Sequence, residues 1–90
     1  MAVIFQNRTT NSSGTTPVVA SIDTTYQILV SGVFGGADVY LMVVQDALRP
    51  APMYRFSGEG MAVLDLKAGS SWYLVVVQAS LATNIDASYL

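Results

Sequence analysis

Six carboxylates and four basic side chains, with no histidine and no cysteine, are the charged and metal-binding chemistry of this 90-residue chain. The acids are Asp23, Asp38, Asp46, Glu59, Asp65 and Asp86. A glycosidase needs two carboxylates facing each other across the bond it cleaves. Most of these acids fall instead at expected turns or strand starts, where short polar side chains cap backbone N–H groups. Asp65 differs because it lies inside a strand pattern. There it can act as an edge charge that discourages sheet-to-sheet aggregation, or pair with Lys67 or Arg55. Serine nucleophiles need a base, and without histidine the common triads are lost; Lys67 sits in a turn where nothing obvious would depress its pKa. Gly32, Gly35, Gly36, Gly58 and Gly60 belong to turns rather than to a strand-to-helix junction, so they make no phosphate loop. Zinc lacks its Cys and His ligands, and disulfides are impossible. These residues predict no enzyme, no catalytic or metal site and no cofactor.

The aromatics leave two readings open. Tyr40, Tyr54, Trp72 and Tyr73 could form a stacking platform for a sugar ring, or the tryptophan could anchor a core or an interface. Nucleic acid is not an expected partner: the net charge is −2, the pI is near 4.5, and Arg8, Arg49, Arg55 and Lys67 are scattered. A membrane is not expected either. The apolar runs Val39–Val44 and Trp72–Val77 fall far short of the ~20 residues of a spanning helix, and a transmembrane barrel would need polar lumen-facing alternates. Met1–Gln6 lacks the basic start and apolar length of a signal peptide. Without one, the acceptor-like triplets at Asn7 and Asn11 read as accidents of a polar segment.

The elements that hold these residues read as strands throughout. The central stretch, Tyr26–Gln45, has two apolar runs, Tyr26–Phe34 and Val39–Val44, flanking Gly35-Gly36. A Gly-Gly pair supplies the positive φ values of a two-residue primed turn, which predicts a β-hairpin. Further strands are expected at Ala2–Gln6, Pro17–Ile22, Met53–Ser57, Met61–Leu66 and Ser71–Ser80, and Asn84–Leu90 closes the chain. Pro50 and Pro52 predict a loop over Gln45–Pro52, whose Arg49-Pro50-Ala51-Pro52 part could be a plain rigid turn or a partner contact. No segment keeps a helical period, and turns recur every 8–12 residues. The fold class is therefore all-β: one small β-sandwich or jelly-roll-like barrel of about seven or eight antiparallel strands.

Alternation within two strands carries the functional signal. Val39, Leu41 and Val43 point one way and Tyr40, Met42 and Val44 the other; Trp72, Leu74 and Val76 oppose Tyr73, Val75 and Val77. Both faces of each strand are apolar, whereas an antiparallel sheet normally has one solvated face. The composition agrees, with 52% hydrophobic and 11% charged residues against about 25% charged in a typical soluble domain. A chain of this size buries only ~60–65% of its unfolded surface, and without staples oligomerisation is the remaining help. Met1–Thr16 is expected as an N-terminal arm before a single domain at Pro17–Leu90. Its polar part, Asn7–Thr16, is either a solvent-exposed loop or a tether that lets Ala2–Phe5 dock on a neighbouring subunit. The expected contact residues are Val3, Ile4 and Phe5 from the arm and Tyr40, Met42 and Tyr73 from the second apolar face.

Across Val30-Ser31-Gly32-Val33-Phe34-Gly35-Gly36-Ala37-Asp38-Val39 the chain resembles a group of small tailed-phage structural proteins. They carry a Ser-Gly-Thr-Phe-Gly-Gly-Ala-Thr-Val-like hairpin, then a Gly-closed turn before a Tyr-Leu-Val-Val strand, matched by Gly69 and Tyr73–Val76. An Asn-Ile segment near the C-terminus matches Asn84-Ile85. The likeness runs from about Tyr26 to Leu90; Val33 and the Ala47–Pro52 loop depart from it. The resemblance implies a virion component made in the bacterial cytoplasm: a head decoration or cement protein, a homotrimer binding the major capsid protein. A receptor- or glycan-binding module of a tail or head fibre is the alternative. The matched positions are turns and core, so no functional residue is carried over.

Overall fold

The computed structural model describes residues 2–12, 14–45 and 49–90. Asp46, positions 46–48 of the expected loop, and Ser13 of the second acceptor-like triplet lie outside them. Eight strands form: β1 (Ala2–Arg8), β2 (Val18–Val19), β3 (Thr24–Val33), β4 (Asp38–Val44), β5 (Ala51–Phe56), β6 (Gly60–Leu66), β7 (Ser71–Val77) and β8 (Asn84–Tyr89). They make two 4-stranded sheets, ordered β1-β8-β3-β6 (sheet A) and β2-β7-β4-β5 (sheet B). Every pairing is antiparallel. First pairs with last, second with seventh, third with sixth, and fourth with fifth. The chain is thus one long hairpin with its tip between β4 and β5, rolled up so that successive pairs alternate between the sheets. That is the jelly roll, and it accounts for the all-β pattern of short, evenly spaced strands.

The Gly35-Gly36 turn forms but does not make the expected hairpin. Ala37 N–H donates to the Phe34 carbonyl at 3.0 Å, and both glycines have positive φ, 59° and 89°. The flanking strands nevertheless belong to different sheets, because β3 pairs with β6 and β8 while β4 pairs with β5 and β7. Turn chemistry is local, whereas the rolled chain offers each strand two better-matched partners elsewhere. Polar side chains pin these crossings. The buried Thr83 hydroxyl donates to the Phe34 carbonyl at 2.7 Å and accepts from Ser80 N–H at 2.9 Å, and the Ser80 hydroxyl donates to the Gly35 carbonyl at 2.8 Å. At another crossing Ala20 N–H donates to the Ser70 carbonyl at 2.9 Å, and Gly69 N–H to the Ala20 carbonyl at 2.8 Å.

Three other boundaries differ from expectation. Pro52 lies inside β5 and not in a loop; β5 is an edge strand with a bulge between its Leu41 and Met42 pairings, where a missing N–H is tolerated. The expected strand over Pro17–Ile22 shrinks to Val18–Val19, and β7 stops at Val77 because Gln78 turns left-handed at φ 57°. The N-terminal segment does not stand apart from the domain. Ala2–Arg8 is the edge strand of sheet A, paired with β8, and Ser12 bridges to Val76 at the edge of sheet B. An unpaired β8 edge was the nearest place for an apolar strand to satisfy its backbone groups.

Between the sheets lies a core of Ile28, Val30, Val39, Leu41, Leu74, Val76, Ile85 and their neighbours. Trp72 is fully buried, edge-on to Tyr26 and Tyr89 at centroid distances of 5.6 and 5.1 Å, so three rings tie β3 and β8 to β7. Burying each such side chain contributes roughly 1.5–3 kcal/mol.

Candidate protein-binding face

Strands β4 and β7 lie side by side at the centre of sheet B, in unbroken register from Asp38↔Val77 to Val44↔Ser71. Their burial alternates residue by residue, with Val39, Leu41, Val43, Trp72, Leu74 and Val76 inward. The outward alternates are Tyr40, Met42, Val44, Tyr73, Val75 and Val77, all apolar or aromatic. Met42 stands opposite Tyr73 and Tyr40 opposite Val75. Cross-strand partners have Cβ atoms about 4.5–5.5 Å apart, so these side chains touch and shield one another. Each is therefore half-buried, and at the β7 edge Gly14 lies against the Tyr73 ring. Pro52 and Arg55 of β5 face Met42 and Tyr40 from one side. Among the described residues of β4, β5 and β7, Asp38 and Arg55 bring the only charge, both at one end of the patch.

Tyr40, Met42 and Tyr73 are thus brought together as the sequence predicts. Val3, Ile4 and Phe5 are not part of this group. They lie on β1, at the edge of the other sheet, where Ile4 and Phe5 pack against the core of their own chain and only Val3 is exposed. The reason is again the β8 edge: β1 pairs there, and the irregularity between Val3 and Phe5 lets the consecutive Ile4 and Phe5 both be partly buried. Val44, Val75 and Val77 complete the face. Their alternation was visible, but branched aliphatics carry no mark that separates an interface from a core.

The aromatic platform does not assemble. Trp72 is in the core, Tyr40 and Tyr73 are on the outer face of sheet B, and Tyr54 is on the edge strand against Phe56, 4.7 Å between centroids. The Trp72 indole N–H has no hydrogen-bond partner among the described residues. Its neighbours are tyrosine rings, whose faces are weak acceptors.

Three of the acids, Asp23, Asp65 and Asp86, take local structural roles. Asp23 accepts from Ala68 N–H at 2.9 Å and lies 3.6 Å from the Lys67 ammonium; the hydrogen bond first and the ammonium second hold its carboxyl below the usual range. Asp65 accepts from the Thr25 hydroxyl, and Asp86 from Asn7 N–H at 2.8 Å. Lys67 pairs with Asp23 instead, and among the described residues Asp65 makes no ion pair with Lys67 or Arg55. Among the described residues no three acids, histidines or cysteines gather as a metal site would require, and no helix is long and apolar enough to cross a membrane. Compared with protein-family models and with curated proteins, the chain matches none.

Proposed function

We propose that this chain is a non-enzymatic structural component of a tailed-phage virion, of the head decoration or cement type. It buries the outer face of sheet B against the major capsid protein shell. The observation that carries the reading is that face itself: six contiguous apolar side chains on two central strands, with Asp38 and Arg55 at one end. Water does not favour such a surface, and monomeric proteins seldom keep one without using it. Covering it with a protein surface removes apolar area from water at about 25 cal/mol per Å² before the costs of association. The resemblance over Tyr26–Leu90 supplies the phage context. The jelly roll is compatible with it, since capsid domains use that architecture, but lectin domains do too.

The test uses virions of the phage that encodes the chain. The protein should be present in stoichiometric amounts in purified heads, and Met42→Asp should strip it from them while leaving its sheet CD spectrum unchanged. A virion preparation lacking the protein, or full occupancy by Met42→Asp, rejects the reading.

A further inference from the structure

A two-sheet sandwich has four edges, and three of those here are guarded against adding a strand. Strand β1 is broken by two register shifts and by a left-handed Asn7 at φ 50°. Strand β2 is two residues long and follows Pro17. Strand β5 carries Pro52 and a bulge. Strand β6 has none of these devices. All seven of its residues pair with β3 without a shift, from Thr24↔Leu66 to Val30↔Gly60. Its far side meets no other strand among the described residues. Natural sheets blunt their edges by bulges, proline, brevity or charge; β6 carries only the last, the single Asp65, so one straight edge beside three broken or shortened ones marks a place where a strand can pair.

The backbone phase says which groups are on offer. Gln27 and Leu90 exchange hydrogen bonds of 2.9 and 3.4 Å, so the peptide groups of Gln27 point towards β8. Those of Tyr26, Ile28 and Val30, one residue out of step, point to Leu64, Ala62 and Gly60 of β6. The N–H and C=O groups of Met61, Val63 and Asp65 therefore point outward from the edge.

We propose that β6 pairs antiparallel with β6 of a second copy of this chain about a two-fold axis at Val63, joining two sheets A into one continuous sheet. The strand is self-complementary in this register. Val63 meets Val63, and Met61 meets Asp65 on either side, giving roughly six backbone hydrogen bonds, two for each of the three pairs. On the inward face Gly60 meets Leu66 and Ala62 meets Leu64, so each small residue faces a large one. Val63 and Met61, 61% and 57% exposed in the single chain, gain a cross-strand apolar neighbour or the carbon stem of the facing residue. Asp65 selects the register. Its carboxylate is drawn back to its own Thr25, and an axis moved onto it would set carboxylate against carboxylate. This contact uses a different sheet from the proposed capsid-facing surface and stands or falls apart from it.

Sedimentation equilibrium of the purified chain and four variants tests the pairing. The wild type should be a concentration-dependent dimer. Val63→Glu, at an exposed position, places two carboxylates together at the axis and should leave a monomer with unchanged CD and melting temperature. Met61→Lys should tighten the dimer several-fold at low salt, because each lysine then faces Asp65 of the other copy; Met61→Asp should loosen it. A patch held only by general apolar contact would respond to Met61→Lys with weakening. That result, a monomeric wild type, or a dimer that survives Val63→Glu would overturn the proposal. Association through sheet B would behave in the opposite way, surviving Val63→Glu and disappearing on Met42→Asp.

Discussion

The outward faces of the two sheets come from strands of similar length, yet they are built differently. On sheet A the apolar group is smaller: Leu29 stands opposite Met61 with Val63 beside it, but Val63 faces Gln27, Leu29 has Ser88 on its other side and Val33 lies apart, and these four remain 40–61% exposed. On sheet B the outward residues of β4 and β7 are all apolar between Asp38 and Ser71, and each is only half-buried because its neighbours crowd it. The more hydrophobic face therefore shows less accessible area per residue. Contiguity rather than exposure of single side chains separates an interaction face from an ordinary wetted one.

The largest expected effect separates the two sides of sheet B. Trp72→Ala empties the centre of the three-ring cluster and should cost about 3–5 kcal/mol in urea denaturation. The adjacent outward change, Tyr73→Ala, should cost about 1 kcal/mol or less. Equal losses would mean that the outer face is part of the folding core. On sheet A the sensitive position is a backbone one. Gly32 has φ 108°, and a Cβ there would run into the Asn84 carbonyl oxygen of the paired strand. Gly32→Ala should destabilise by roughly 1–3 kcal/mol from backbone strain, and by more if β8 cannot shift.

Smaller effects sharpen the contrast between the faces. Tyr40→Ser with Met42→Ser should leave the melting temperature within a few degrees while reducing binding of a fluorescent apolar probe. The same exchange at Leu29 and Val33 should change probe binding little. A matching loss on both sheets would erase the distinction. The smallest effect lies away from both faces, at Asp23. Because its folded pKa is lowered, its stabilisation is present above the unfolded carboxylate value of about 3.9 and is lost as pH falls through the folded value. Melting curves between neutral and acid pH should therefore differ slightly from those of Asp23→Asn, and converge in acid. Lys67→Ala should remove less of this dependence, since the Ala68 hydrogen bond is the larger cause.

Much of this was legible in the residues. Alternation on β4 and β7 gave the two apolar faces, and turn spacing gave an all-β class with about the observed number of strands. Gly35-Gly36 declared a primed turn, and the turn is there. Partner choice was not legible. The turn joins strands of different sheets, and a chain read locally cannot show that β3 is better matched by β6 and β8 than by β4. The N-terminal strand was misplaced for the same reason: its apolar residues require cover, but whether that comes from β8 or from a neighbouring subunit depends on which edge lies open. Trp72 could have stacked on a sugar or filled a core, and only the pleat of β7 against Tyr26 and Tyr89 turned it inward.

Side-chain period, turn chemistry and the absence of histidine and cysteine act within a few residues, so the sequence by itself determined the strands, their two-faced character and the range of chemistry open to them. Strand order, guarded and open edges, and the grouping of Tyr40, Met42 and Tyr73 into one surface depend on contacts between residues far apart in the chain. Those were decided only when the long hairpin rolled up, because backbone pairing is nearly indifferent to sequence and register is fixed by what each face buries.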